Sequence, residues 1–169
     1  RAPFRRGGPR RGCAGGGRAN GAIVGEAAGA MSGSNLMGSP RAKGWFRRAI
    51  GQGGHGAMTR DIDVAQRLVK ALSRLLKVTP DEAGFRSVEP GAMLDAVEKI
   101  SLPTSRIDLR DRDGRQPVFG ISRFVPVHGD DVLPVRPIEA LKQGIGAEVD
   151  LLIGSNAQEM NLYFVPTGV

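Results

Sequence analysis

Residues Gly25-Glu26-Ala27-Ala28-Gly29 have the spacing G-x-S-x-G, but with alanine at the middle position. In that motif a serine sits on a sharp turn between a strand and a helix, and its hydroxyl attacks a carbonyl carbon. Small flanking residues let the backbone turn tightly and push the middle side chain into the site. Ala27 presents a methyl group, which can neither attack a carbonyl nor share a proton with a base. Ser32 lies five residues further on, more than a helical turn away. Its expected role is packing or a hydrogen bond to the preceding backbone turn, and Ser34 is further still. His55 falls in a glycine loop and is expected at the surface or lining a pocket, while His128 falls in a turn before Gly129. Two separate histidines and a single cysteine, Cys13, do not make a metal site, so no metal is assigned. The sequence has no internal repeat and no Gly-rich phosphate loop followed by lysine.

A strand must precede such a turn and a helix must follow it. Residues 21–24 read as a short buried strand, and 28–37 as a helix stopped by Gly38-Ser39-Pro40. Residues 46–52 read as a second strand, and Gly51, Gly53, Gly54 and Gly56 then open the chain into a loop. The stretch 61–76 has Val64, Leu68, Leu72, Leu75 and Leu76 on one stripe, with Arg67, Lys70 and Arg74 off it, which predicts an amphipathic helix. Thr79 before Pro80 predicts an N-cap with proline at the first helical position. Pro90 starts a further helix through Ile100. Residues 103–114 read as a polar loop, 116–127 as extended chain, and 137–143 as a short helix closed by Gly144. Residues 149–153 read as a buried strand, Asp150 aside.

Three stretches together resemble the type B carboxylesterase family, which includes the cholinesterases. The first is Val24-Gly25-Glu26-Ala27-Ala28-Gly29-Ala30-Met31-Ser32 with Ser39-Pro40-Arg41-Ala42-Lys43-Gly44-Trp45-Phe46-Arg47-Arg48-Ala49-Ile50. It is similar to the family's GESAGA elbow and its SP-x-x-x-GLF-x-x-AI-x-QSG continuation. The second, Phe124-Val125-Pro126-Val127-His128-Gly129-Asp130-Asp131-Val132-Leu133-Pro134, resembles F-x-P-x-x-DG-x-x-LP. The third, Leu151-Leu152-Ile153-Gly154-Ser155-Asn156-Ala157-Gln158-Glu159, resembles LL-x-G-x-N-x-x-E. The three occur in order, from about Ala22 to Tyr163. The sequence departs from the pattern at Gly53, where serine is usual, and at Gly129-Asp130, where the order is reversed.

The resemblance implies an α/β fold, part of an α/β-hydrolase with central parallel strands and flanking helices. It also implies cofactor-free hydrolysis of small carboxylic esters by a Ser–acid–His triad. The nucleophile position falls on Ala27, the acid position on Glu159, and one oxyanion-hole amide on Ala28. In open α/β sheets, sites form beyond the carboxyl ends of the strands, so positions following the first and last strands are expected at one edge. Both histidines precede Glu159, the wrong chain order for this triad. Family members run to several hundred residues, so the chain is expected to span the middle of such a domain, without the triad histidine or the upstream Gly-rich oxyanion loop. The reading is therefore an inactive version of such an esterase. The alternative is a non-catalytic binding protein on the same scaffold, as in the neuroligin-like relatives.

The net charge of +7 suggests nucleic acid only until its location is considered. Arg1, Arg5, Arg6, Arg10, Arg11 and Arg18 all precede the first acid, Glu26; the other 18 Lys and Arg face 17 acids, a net of +1. No nucleic-acid partner is assigned. Residues 1–20, nearly all Arg, Gly, Ala and Pro, are expected to be a disordered tail, and 21–169 the hydrolase part. The tail has neither the serine and amphipathic helix of a transit peptide nor the apolar stretch of a twin-Arg signal. Its composition suits GC-rich DNA read in another frame, so it is expected to be foreign to the fold. No apolar run approaches the length of a membrane span.

Overall fold

The computed structural model describes residues 20–117 and 123–168. In chain order the elements are β1 (Ala22–Glu26), α1 (Ala28–Gly38), β2 (Arg48–Gln52), β3 (Arg60–Asp61), α2 (Ile62–Leu76), α3 (Glu82–Arg86), α4 (Pro90–Ser101), β4 (Val127–His128), α5 (Pro137–Lys142), β5 (Asp150–Gly154) and α6 (Asn161–Thr167). They form two compact units. One runs up to Ala57 and resumes at Arg136; the other is Met58–Val135. Most of the tail expected over residues 1–20, and Cys13 with it, lies outside the described residues, as does the middle of the stretch expected to be extended over 116–127.

In the first unit β1, β2 and β5 form a parallel sheet in that order, with Val24, Ile50 and Leu152 in register. Parallel neighbours need a crossover, and α1 supplies the one between β1 and β2. The helix comes close because small residues face the sheet: a methyl group at Gly51 would lie 3.6 Å from Ala30 Cβ, and one at Gly33 would lie 3.6 Å from Ile23 Cδ1. Met37, Ala42, Phe46 and Ala49 form the buried centre, with Ile23, Leu141 and Val149 packed around them.

Two strands expected to be buried are not. Side chains alternate along a strand, so Val24 and Leu152 fall on the face opposite α1, where they are 67% and 65% exposed. β5 is exposed along its whole length, because α1 packs on β1 and β2 and leaves β5 at the edge. Apolar runs of this kind suit parallel strands covered on both faces; among the described residues one face lacks a cover. The sequence reading also has no counterpart for α6, which carries Pro166 within its seven residues.

In the second unit the expected stripe on α2 holds over Val64, Leu68 and Leu72, which are buried, and fails at its end, where Leu76 is half-buried and Leu75 exposed. Leu72 joins Ala96 and Ile100 of α4, with Phe85 and Met93 alongside. Asp61 caps α2 by accepting from the Asp63 N–H at 3.1 Å, and Arg112 Nε lies 2.9 Å from its carboxylate. Burial alone would raise the Asp61 pKa. The Asp63 N–H, the Arg112 guanidinium and nearby His128 outweigh it and hold the carboxyl below its ordinary value.

The cap expected at Thr79 belongs instead to Asp81. Its Oδ1 accepts from the Gly84 N–H at 2.7 Å, and the Thr79 hydroxyl donates to the same oxygen at 2.9 Å. The helix accordingly begins at Glu82 rather than Pro80. A charged carboxylate is the stronger acceptor, and Thr79 buttresses it. β3 and β4 pair in parallel over two residues each, placing Asp61 beside His128.

Candidate active site

The sheet register decides where the candidate residues emerge. Glu26, Gln52 and Gly154 are aligned at the carboxyl ends of β1, β2 and β5. The segments that follow the three strands therefore leave the sheet at one edge, as expected for an open α/β site.

After β1 the chain reverses in a single residue. Ala27 has φ 46° and ψ −113°, a conformation that costs a residue bearing a Cβ roughly 1–3 kcal/mol. Two backbone hydrogen bonds hold it: the Ala27 N–H donates to Gln52 O at 2.8 Å, and the Met31 N–H donates to Ala27 O at 3.1 Å. Ala28 is the first residue of α1. Its N–H is one of the four at a helix start that have no intrahelical acceptor, and the helix dipole makes that end attractive to developing negative charge.

The two glycines of the motif do different work. A methyl group at Gly25 would lie 2.2 Å from the carbonyl carbon of Gly29 and 2.5 Å from the Ala30 nitrogen, so only glycine fits. One at Gly29 would meet nothing within 4 Å. The close approach continues across the loop after β2. A methyl group at Gly54 would lie 2.5 Å from Ala30 Cβ and 2.7 Å from Ala27 O. From residue type Gly54 reads only as part of a loop; the four glycines at 51, 53, 54 and 56 are the available signal.

Glu159 reaches the same loop from the segment after β5. A methyl group at Gly53 (φ 62°) would lie 3.1 Å from Glu159 Oε1 and 4.0 Å from Glu26 Oε1. The Gly53 N–H donates to Gly154 O at 2.8 Å, and the Asn156 N–H donates to Glu159 Oε1 at 3.0 Å. Ala27 and Glu159 thus lie against adjacent residues, Gly54 and Gly53. The sequence reading missed Gln52 and Asn156 because each contributes a backbone group, which residue type does not reveal.

The other candidates lie elsewhere. The Ser32 hydroxyl donates to Ala28 O at 2.9 Å, the expected bond to the preceding turn, and the Ser34 hydroxyl donates to Ala30 O at 3.3 Å. His55 Nδ1 accepts from the Ala57 N–H at 3.2 Å, and His55 lines a cavity, as expected. His128 Nδ1 lies 3.0 Å from Thr59 Oγ1, in the second unit. Among the described residues no group of three or more His, Cys, Asp and Glu side chains could hold a metal ion. No helix among them is long and apolar enough to cross a membrane.

This geometry has a counterpart in known proteins. The model of the carboxylesterase family matches residues 14–168. That match starts inside the stretch that sequence composition set apart as a tail. The chain is 27% identical to the para-nitrobenzyl esterase of Bacillus subtilis (strain 168) over 145 residues, covering 85% of this chain and 27% of that enzyme. Among solved structures, a PNB esterase has a TM-score of 0.71 at 27% identity, over 90% of this chain and 30% of its own. The Geobacillus stearothermophilus carboxylesterase EST55 has a TM-score of 0.66 at 29% identity, over 91% of this chain and 30% of its own. The chain thus spans less than a third of the length of these relatives. With that match, and with parallel strands, flanking helices and a strand–turn–helix elbow, the chain belongs to the carboxylesterase family and carries part of its α/β-hydrolase fold.

Proposed function

We propose that Ala27 occupies the nucleophile position of a carboxylesterase site, Glu159 its acid position, and the Ala28 amide one oxyanion-hole donor. The observation that carries this reading is the strained backbone of Ala27 at the end of β1, with Glu159 against the neighbouring glycine. In an active site of this kind a serine hydroxyl adds to the ester carbonyl and its proton passes to histidine. The alcohol then leaves, and water releases the acid. The acid residue orients the histidine and stabilises its charged form.

Ala27 has no oxygen with which to begin that sequence, and no histidine follows Glu159 in the 169 residues. Loss of the nucleophile costs about a million-fold in turnover in a comparable serine enzyme. The whole protein of this family is read as acting on small carboxylic esters, with para-nitrobenzyl esters as the test class suggested by the B. subtilis relative. This chain is read as catalytically silent.

An alkyl fluorophosphonate tests the assignment, because it transfers phosphorus to an activated serine and releases fluoride. Intact mass after incubation is expected to show no adduct. An adduct mapped to Ser32 or Ser34 would reveal another nucleophile and overturn the reading.

A further inference from the structure

A cavity of about 360 Å³ lies against α1 on the sheet face of Ile23, Gly51 and Ile153. Its volume is within the usual range of small-molecule sites. Neither Ala27 nor Glu159 lines it, but Gly25, Gly29 and Gly54 do, so it adjoins the candidate active site without including its two proposed functional positions. α1 forms one wall, the three strands form another, and His55, Gly56 and Ile138 contribute from the loop after β2 and from α5. That last part is fixed, because the Ile138 N–H donates to Gly56 O at 3.0 Å.

Missing side chains make the space. Gly29 and Gly33 both line it. A methyl group at Gly29 would meet nothing within 4 Å, and one at Gly33 only Ile23 Cδ1. Glycine in a helix interior costs roughly 0.5–1 kcal/mol relative to alanine, so Gly33 leaves room at the expense of helix stability.

The chemistry of the walls selects the occupant. Among the described residues no Asp, Glu, Lys or Arg lines the cavity, so an ion entering it would lose hydration without a countercharge. The Ser32 and Ser34 hydroxyls have committed their protons to carbonyls of α1. The remaining lining side chains are apolar, apart from His55. We propose that the cavity is a binding site for an uncharged apolar molecule of about a dozen non-hydrogen atoms, such as a medium-length alkyl chain; the size follows from a volume worth about twelve waters.

The test titrates the ¹⁵N-labelled 169-residue chain with 1-octanol and follows amide shifts. Saturable one-to-one binding is expected, with shifts at Ile23, Gly51 and Ile153. Gly33→Leu puts a side chain into the space while replacing a poor helix former with a good one. It is expected to fold by circular dichroism and to bind octanol at least about tenfold more weakly, since a filled site excludes the chain. Leu152→Ser changes an exposed side chain on the opposite sheet face that does not line the cavity, and is expected to leave affinity within about twofold. Three results would overturn the proposal: shifts that never saturate, undiminished binding by Gly33→Leu, or loss of binding in Leu152→Ser. A binding midpoint that rises in step with dimer formation would assign the cavity to a second copy and overturn it too.

Discussion

At the turn after β1, Ala27 combines a strained backbone with a side chain that has no nucleophilic atom. Its φ of 46° and ψ of −113° favour glycine, so Ala27→Gly is expected to stabilise the chain by about 1 kcal/mol, strain relief exceeding the added chain entropy. A denaturation midpoint that falls would contradict the strain. The flanking glycines separate more sharply. Gly25→Ala drives a methyl group into the first turn of α1 at 2.2 Å and is expected to cost at least about 3 kcal/mol. Gly29→Ala points into open space and is expected to be neutral or to gain up to about 1 kcal/mol. Equal melting shifts for the pair would refute this account of the motif. The motif itself could be read from five residues. Which glycine was obligatory could not, because that depends on the distance of closest approach between strand end and helix.

At the scale of elements, periodicity and capping carried most of the information. The stripe on α2, the proline starts of α4 and α5 and the Gly144 stop all follow from residue type and spacing. Thr79 misled because Asp81, two residues on, accepts the same kind of bond with a full charge. β5 misled because an apolar run reports affinity for a cover and cannot say whether one is there. The cap on α2 gives a testable pH dependence. Asp61 has its pKa lowered in the folded chain, so its contribution is present above the ordinary aspartate value of about 3.9. It is lost as pH falls through the lower folded value. Asp61→Asn keeps the cap geometry and removes the charge. Its stability deficit in urea is expected to be full near pH 7 and to narrow below about pH 4. Asp61→Ala also loses the cap and is expected to cost about 1–2 kcal/mol. A deficit for Asp61→Asn that is constant across this range would place the effect in packing rather than charge.

At the scale of the molecule, the sheet presents two unpaired edges among the described residues, β1 and β5, and an apolar face carrying Val24 and Leu152. Open edges and apolar faces promote association between chains. The isolated chain is expected to self-associate, and Leu152→Glu to shift it toward monomer in sedimentation. A monodisperse wild-type monomer with a sharp, cooperative melt would contradict this. Family and fold were legible because three separated motifs kept their order. The convergence of Ala27 and Glu159 followed from strand order alone, while the close packing at Gly53 and Gly54 needed coordinates.

The most direct test of the account is hydrolysis of a para-nitrobenzyl ester by the purified 169-residue chain, beside its Glu159→Gln variant and a heat-treated control. The account predicts that all three release product at the buffer rate, since the elbow carries a methyl group. Saturable hydrolysis by the native chain, lost on heating and weakened in Glu159→Gln, would show a working site and contradict it.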